Sequence, residues 1–148
     1  MGTWTVHLRN YCRSITILDI SGKFAEITTR RLSELNFNSV SKIVGDFQDC
    51  NVTIGGKYDA VFSIRAIEYM ENKAFVLSKI YALLNKGGFV FIITKNPYRR
   101  LIPFLSVLKA KVGFEQQKIF GHMIHHKDLA VRMQKAGFKN ISIGVCRI

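Results

Sequence analysis

The stretch ITILDIS, Ile15 to Ser21, decides how the chain reads. Four strand-compatible residues, Ile15 to Leu18, run into a single acid, Asp19, and then into residues that can open a helix. An aspartate at the carboxyl end of a buried strand is well placed to accept hydrogen bonds from a ribose. Working outward, Ser21 can cap a helix over Lys23 to Leu35, with Phe24, Ile27, Leu32 and Leu35 on one side. Asn36 and Asn38 punctuate its end. Upstream, apolar residues at 4, 8 and 12 predict a short helix over Trp4 to Cys12. Downstream, Lys42 to Val44 reads as a short strand closed by Gly45, Asp46 and Phe47.

The same alternation continues. Residues 48–57 form a loop with a Gly-Gly turn. Tyr58 to Ile64, YDAVFSI, reads as a buried strand from its continuous apolar character. A helix follows over about Lys73 to Leu84, capped by Asn72, with Leu77, Ile80, Tyr81 and Leu84 as its stripe. Asn85-Lys86-Gly87-Gly88 stops it and turns into a very hydrophobic strand, Phe89 to Thr94. Residues 98–126 break the pattern, with Leu101, Phe104, Leu105 and Leu108 on an amphipathic helix flanked by Arg99, Arg100, Lys109 and Lys111. A last helix over about Lys127 to Lys135 turns Leu129, Ala130, Met133 and Ala136 inward and stops at Gly137; Asn140 to Cys146 is a final strand. Strands alternating with helices predict an α/β fold, a mostly parallel sheet with helices on both faces. Ligands of such sheets bind beyond the carboxyl ends of the strands. Asp19, Asp46 and Ser63-Ile64-Arg65 all fall at such ends.

A length of 148 residues suits one domain with room for a core. LIPFLSVL at 101–108 is far short of the ~20 residues that span a bilayer. The first residues show no secretory pattern. Cys12, Cys50 and Cys146 are odd in number and widely spaced, so they read as reduced thiols of a cytoplasmic protein, with no disulfide framework and no zinc site. The formal charge of +12 favours anionic partners, nucleic acid among them, but the basic residues are spread over the chain as on a solvated surface.

In order and spacing, LDIS at 18–21, VGDF at 44–47, KYDAVFSIRAIEYM at 57–70, ALLNKGGFVFI at 82–92 and DLAVRMQKAGFKNISI at 128–143 resemble the class I S-adenosylmethionine-dependent methyltransferases of the small-molecule type. The resemblance covers about residues 2–145 and implies a Rossmann-like fold, S-adenosyl-L-methionine as cofactor and a small-molecule acceptor. By position it implies that Asp19 takes both ribose hydroxyls, a task that suits an acceptor-only carboxylate. Ile20 would pack on one face of the adenine. Asp46 would accept from the adenine amino group, with Phe47 against the base. Ser63 to Ala66, Arg65 included, would line the methionine arm. Glu68 and Tyr69 would face the acceptor, and Asp59 would support the fold. Methyl transfer is an in-line displacement that needs alignment above all, so no fixed catalytic residue is assigned.

The chain departs from that family at its start. Met1-Gly2-Thr3-Trp4-Thr5 resembles only the end of the family's Gly-rich loop, with Gly2 as its last glycine. The family's first strand has no counterpart. The expectation is an N-terminally truncated methyltransferase whose cofactor binding is impaired. Either 15–20 and 58–64 then pair directly, or a second copy in a homo-oligomer covers the gap. The 98–126 insertion reads as a lid over the acceptor pocket. His122, within H-x-x-H-H at 122–126, is a candidate contact to the acceptor, without a completed metal set. Lys95-Asn96-Pro97-Tyr98 reads as a turn that ends its strand. Two alternatives stand beside this reading: an RNA methyltransferase, supported by charge alone, and a non-catalytic remnant.

Overall fold

The computed structural model describes residues 2–95 and 124–144. Contacts divide the chain into two units, 1–55 and 56–148.

The first unit is a strand–helix–strand crossover preceded by a helix. α1 spans Thr3–Leu8 and runs on through a 3-10 turn, Arg9–Tyr11. β1 is Ile15–Asp19, α2 is Gly22–Glu34 and β2 is Val40–Val44. The strands are parallel and in register from Ile15 opposite Val40 to Asp19 opposite Val44. Ser21 caps α2 as the sequence predicts, its side chain accepting the Phe24 N–H at 3.4 Å. The far end closes on Asn36, which takes a left-handed φ of 59°. There the Phe37 N–H donates to the Leu32 carbonyl and the Asn36 N–H to the Ser33 carbonyl, the paired bonds that satisfy a helix C-terminus.

The buried face of α2 is only partly the predicted one: Leu32 is fully buried and Ile27 half-buried, as expected, but the face is turned toward Ala25 and Thr28. Ala25, Thr28 and Leu32 are buried, while Phe24 and Leu35 are 42% and 44% exposed. α2 packs on β1 and β2, and small Ala25 on its inner face lets the helix backbone approach the strands closely. Counting hydrophobicity favoured the larger phenylalanine one position, about 100°, away. Thr28 is tolerated inside because its hydroxyl donates to the Phe24 carbonyl at 2.9 Å.

The second unit holds β3, Tyr58–Ile64, a 3-10 turn at Ile67–Tyr69, α3, Lys73–Leu83, β4, Leu84–Ile93, and α4, His126–Lys135. β3 and β4 are parallel, from Ala60 opposite Phe89 to Ile64 opposite Ile93. The expected stop at 85–88 is present as an excursion inside β4. Tyr58 pairs with Leu84 and Ala60 with Phe89, so Asp59 alone faces four residues. Gly87 has φ 84°, and a Cβ on Gly88 would come within 3.0 Å of the Asn85 and Asp59 carbonyl oxygens. The glycines therefore let β4 begin straight after α3 and fold out without leaving the ladder. Asn85 Nδ2 donates to Asp59 Oδ1 at 2.7 Å and ties the excursion to β3.

α3 carries the core of this unit: Val76 and Leu77 are fully buried and Ile80 is 3% exposed. Asn72 caps it, accepting the Phe75 N–H at 3.1 Å. Tyr81, predicted inward, is 49% exposed, yet its ring meets Phe138 edge-on at 5.2 Å. Gly137 ends α4 with φ 105°, and a Cβ there would lie 2.9 Å from the Tyr81 ring. Both conformation and space therefore demand glycine at that stop. The final strand predicted at Asn140 to Cys146 is a correction: residues 141–144 form no strand. The alternation of NISIG supplies a pattern, but a strand also needs a partner ladder, and none is formed there among the described residues.

Among the described residues, the β1–β2 and β3–β4 sheets each hold two strands. No helix there is long and apolar enough to cross a membrane. Residues 98–123 of the expected lid, its amphipathic helix at 101–108 included, and the turn beyond Lys95 fall outside the described residues, while His126 already belongs to α4.

Lys73 opens α3 with 8% exposure, and its ammonium donates to the Met70 carbonyl at 2.6 Å. Burial pushes its pKa below the ordinary value, and the nearby Arg132 charge pushes the same way. Unfolding then takes up protons between the lowered pKa and the ordinary 10.5, so stability should rise with pH across that window. Urea midpoints measured across that range should climb, and Lys73→Met should flatten the climb.

Candidate functional site

Two acids stand at the carboxyl end of the first unit's parallel pair. The Gly45 N–H donates to the Asp19 carbonyl at 3.1 Å, carrying the ladder one step past the strands. That bond aligns the Asp19 and Asp46 ends of neighbouring strands, which in a sheet run about 4.8 Å apart. Each side chain braces the backbone that follows it. Asp19 Oδ1 accepts the Ser21 N–H and Asp46 Oδ1 accepts the Gln48 N–H, both at 2.8 Å. Both residues are partly buried. In each carboxylate, Oδ2 accepts no hydrogen bond from the described residues. An ionised carboxylate held by one oxygen and open at the other is an oriented acceptor for hydroxyl or amino donors.

Around this pair, Ile20 is 73% exposed and Phe47 is partly buried. Gly2 precedes α1 with φ 67°, and a Cβ on it would lie 2.7 Å from both Oγ1 and Cγ2 of Thr28. A side chain at Gly2 would therefore be strained twice, by conformation and by contact with α2. The role of Thr28 in seating Gly2 was not legible in advance, because only the folded crossover brings residues 2 and 28 together.

In the second unit, the ends of β3 and β4 are knotted by one acid. Glu68 is 2% exposed. Its Oε1 accepts from Arg65 Nε at 2.7 Å, and its Oε2 accepts from Thr94 Oγ1 at 3.0 Å and from the Lys95 N–H at 2.9 Å. Arg65 has the left-handed φ of 58°, uncommon for a residue with a side chain, and its own N–H donates to the Ile93 carbonyl at 2.8 Å. Ser63 is partly buried beside this turn, and Tyr69 is 51% exposed.

Buried and bonded through both oxygens, the Glu68 carboxylate holds the chain at the ends of β3 and β4. The i,i+3 spacing of Arg65 and Glu68 was the available signal. Thr94 and Lys95 lie 26 and 27 residues away and gave none. His122 lies outside the described residues. His125 caps α4, its Nδ1 accepting the Lys127 N–H at 3.4 Å, and its ring centroid lies 3.9 Å from that of His126, the rings tilted by 43°. No cluster of His, Cys, Asp or Glu among the described residues could hold a metal ion.

A model of a methyltransferase domain family matches residues 1–90. Among curated proteins, none matches the sequence. Several solved structures share the fold. One is a Bacillus halodurans protein assigned as a methyltransferase, with TM-score 0.72 and 16% identity over 93% of this chain and 58% of that one. Another is an O-methyltransferase family protein of Burkholderia thailandensis, with TM-score 0.68 and 18% identity over 99% of this chain and 45% of that one. A third is the geranyl diphosphate C-methyltransferase of Streptomyces coelicolor, solved with Mg2+, geranyl diphosphate and S-adenosyl-L-homocysteine; its TM-score is 0.63 and its identity 20%, over 91% of this chain and 49% of that one. The chain therefore spans between 45% and 58% of the length of these three structures.

Proposed function

The chain belongs to the methyltransferase domain family, and from that membership we propose that it uses S-adenosyl-L-methionine to methylate a small-molecule acceptor. The observation that carries the proposal is the pair Asp19 and Asp46. Both sit at the carboxyl end of one parallel strand pair, each fixed through Oδ1 with Oδ2 open.

The residues fit the nucleoside end of such a cofactor by donor and acceptor chemistry. A ribose offers two hydroxyl donors and an adenine offers an amino donor, and these carboxylates offer acceptors only. Asp19 takes the ribose hydroxyls. Asp46 takes the adenine amino group, with Ile20 and Phe47 giving apolar surface to the base and Gly2 allowing close backbone approach. The bound cofactor supplies a methyl group activated by its sulfonium charge. The protein's contribution is alignment, because displacement at that carbon depends on the line of approach. Support also comes from the C-methyltransferase of the same fold solved with S-adenosyl-L-homocysteine.

The test is a titration of the full chain with S-adenosylhomocysteine, followed by amide NMR shifts, which read weak as well as tight binding. Shifts are expected at 19–21 and 46–47. Asp19→Ala removes charge-assisted bonds to the sugar and should weaken binding by about tenfold or more. No shift at those amides, or an unchanged titration in Asp19→Ala, overturns the proposal.

A further inference from the structure

We propose that the groove between α3 and α4 is a separate binding site, one that takes a small phosphate monoester. The proposal does not depend on the cofactor reading, because every residue it uses lies within the second unit.

The groove is an open cavity of about 610 Å³, a size that suits a small ligand. Ser78 stands on its α3 wall. Asp128, Arg132 and Lys135, spaced by four and three residues, share one face of α4 and form the opposite wall. His125, at the start of α4, joins them, and Val131 adds apolar surface. Four of these side chains, Ser78, His125, Arg132 and Lys135, can donate hydrogen bonds. The His125 Nδ1 accepts the Lys127 N–H, which leaves Nε2 to carry the ring proton. A carboxylate has two oxygens to meet such a set, whereas a phosphate monoester has three and a larger charge.

The positive charge of this groove is unbalanced. Among the described residues neither Arg132 nor Lys135 forms an ion pair, although Asp128 precedes Arg132 by one helical turn. Lys73 adds a buried charge of the same sign. Burial chiefly, and then the Arg132 charge, hold its pKa below the ordinary value. An anion beside Arg132 relieves that repulsion. The wider field acts in the same direction. Residues 56–148 hold 16 of the 22 Lys and Arg but only five of the ten Asp and Glu, so the second unit carries most of the charge of +12. That field draws anions to the unit, and the groove gives them a shaped place on it.

The experiment titrates the full chain with phenyl phosphate and follows amide NMR shifts. Shifts are expected at Ser78, His125, Arg132 and Lys135, with half-saturation on the order of 1 mM. Arg132→Gln should weaken binding about tenfold, the scale of one lost charge-assisted bond. Lys135→Gln should weaken it about threefold, because a lysine offers a point charge where arginine offers a fork. Asp128→Asn should tighten it about threefold by removing a like charge. Lys86→Gln is the control: it removes the same charge from the excursion in β4, away from the groove, and should leave affinity unchanged. Equal loss in Lys86→Gln overturns the proposal, because the charge of the whole unit then holds the anion. No shift at the four groove amides overturns it as well. Benzoate binding as tightly as phenyl phosphate overturns the choice of phosphate. Shifts from an oligouridylate with none from phenyl phosphate overturn it in favour of a nucleic-acid surface.

Discussion

Leu77→Ala should destabilise the second unit by about 2–5 kcal/mol, the range for emptying a closed core site. Leu77 is fully buried on α3, between fully buried Val76 and nearly buried Ile80. α3 packs on both β4 and α4, so the cavity left by the truncated side chain is walled by more than one element and cannot collapse from a single side. Against a stability of about 5–15 kcal/mol for an ordinary domain, such a loss is a large share. The urea midpoint followed by far-UV circular dichroism should fall at constant slope. A midpoint within error of the unaltered chain would show that α3 does not carry the core. Because the chain divides into two units, the fluorescence of Trp4 should be followed in parallel. The Trp4 signal reports the first unit and should move less.

Glu68→Ala should cost about 1–3 kcal/mol, by a different route. The substitution removes the acceptor of the Thr94 hydroxyl and the Lys95 N–H, and because Thr94 is half-buried and Lys95 exposed, water offsets part of the roughly 1–3 kcal/mol that each buried orphan costs. Arg65 loses less, since its side chain is 42% exposed and water can replace the carboxylate there. Its left-handed backbone loses one of two restraints, so the turn should relax as well as weaken. Thermal melting should therefore show a clear drop, while Glu68→Gln, which keeps the volume and some of the bonds, should fall by much less. Equal melting of the alanine and glutamine variants would show that packing, and not the ring of bonds, is what Glu68 contributes.

Local chemistry explains which readings were legible. Ser21 and Asn72 cap α2 and α3, and Gly137 ends α4, at the residues the sequence marks. Caps and left-handed stops involve groups within a few residues of each other, so the chain order already contains them. The parallel sense of β1–β2 and β3–β4 followed from the same source, since a helix between two strands leaves little other choice. The acids at the strand ends were legible too, because strand ends are local. What failed were statements about faces and partners. Phe24 lost the inner face of α2 to Ala25, because close approach to a sheet selects small residues and composition does not say which side approaches.

The sequence by itself determined the order of strands and helices as far as α4, the caps of α2 and α3, and the placing of Asp19 and Asp46 at the carboxyl ends of strands. Only the tertiary structure decided that Glu68 joins Arg65 to Thr94 and Lys95, that Thr28 backs Gly2, and that 85–88 stays within the β3–β4 ladder as an excursion. The reason is range. Hydrogen bonds and torsional preferences act between neighbours along the chain, whereas the donors that meet Glu68 from Thr94 and Lys95 are 26 and 27 residues distant, and only packing brings them within 3.0 Å.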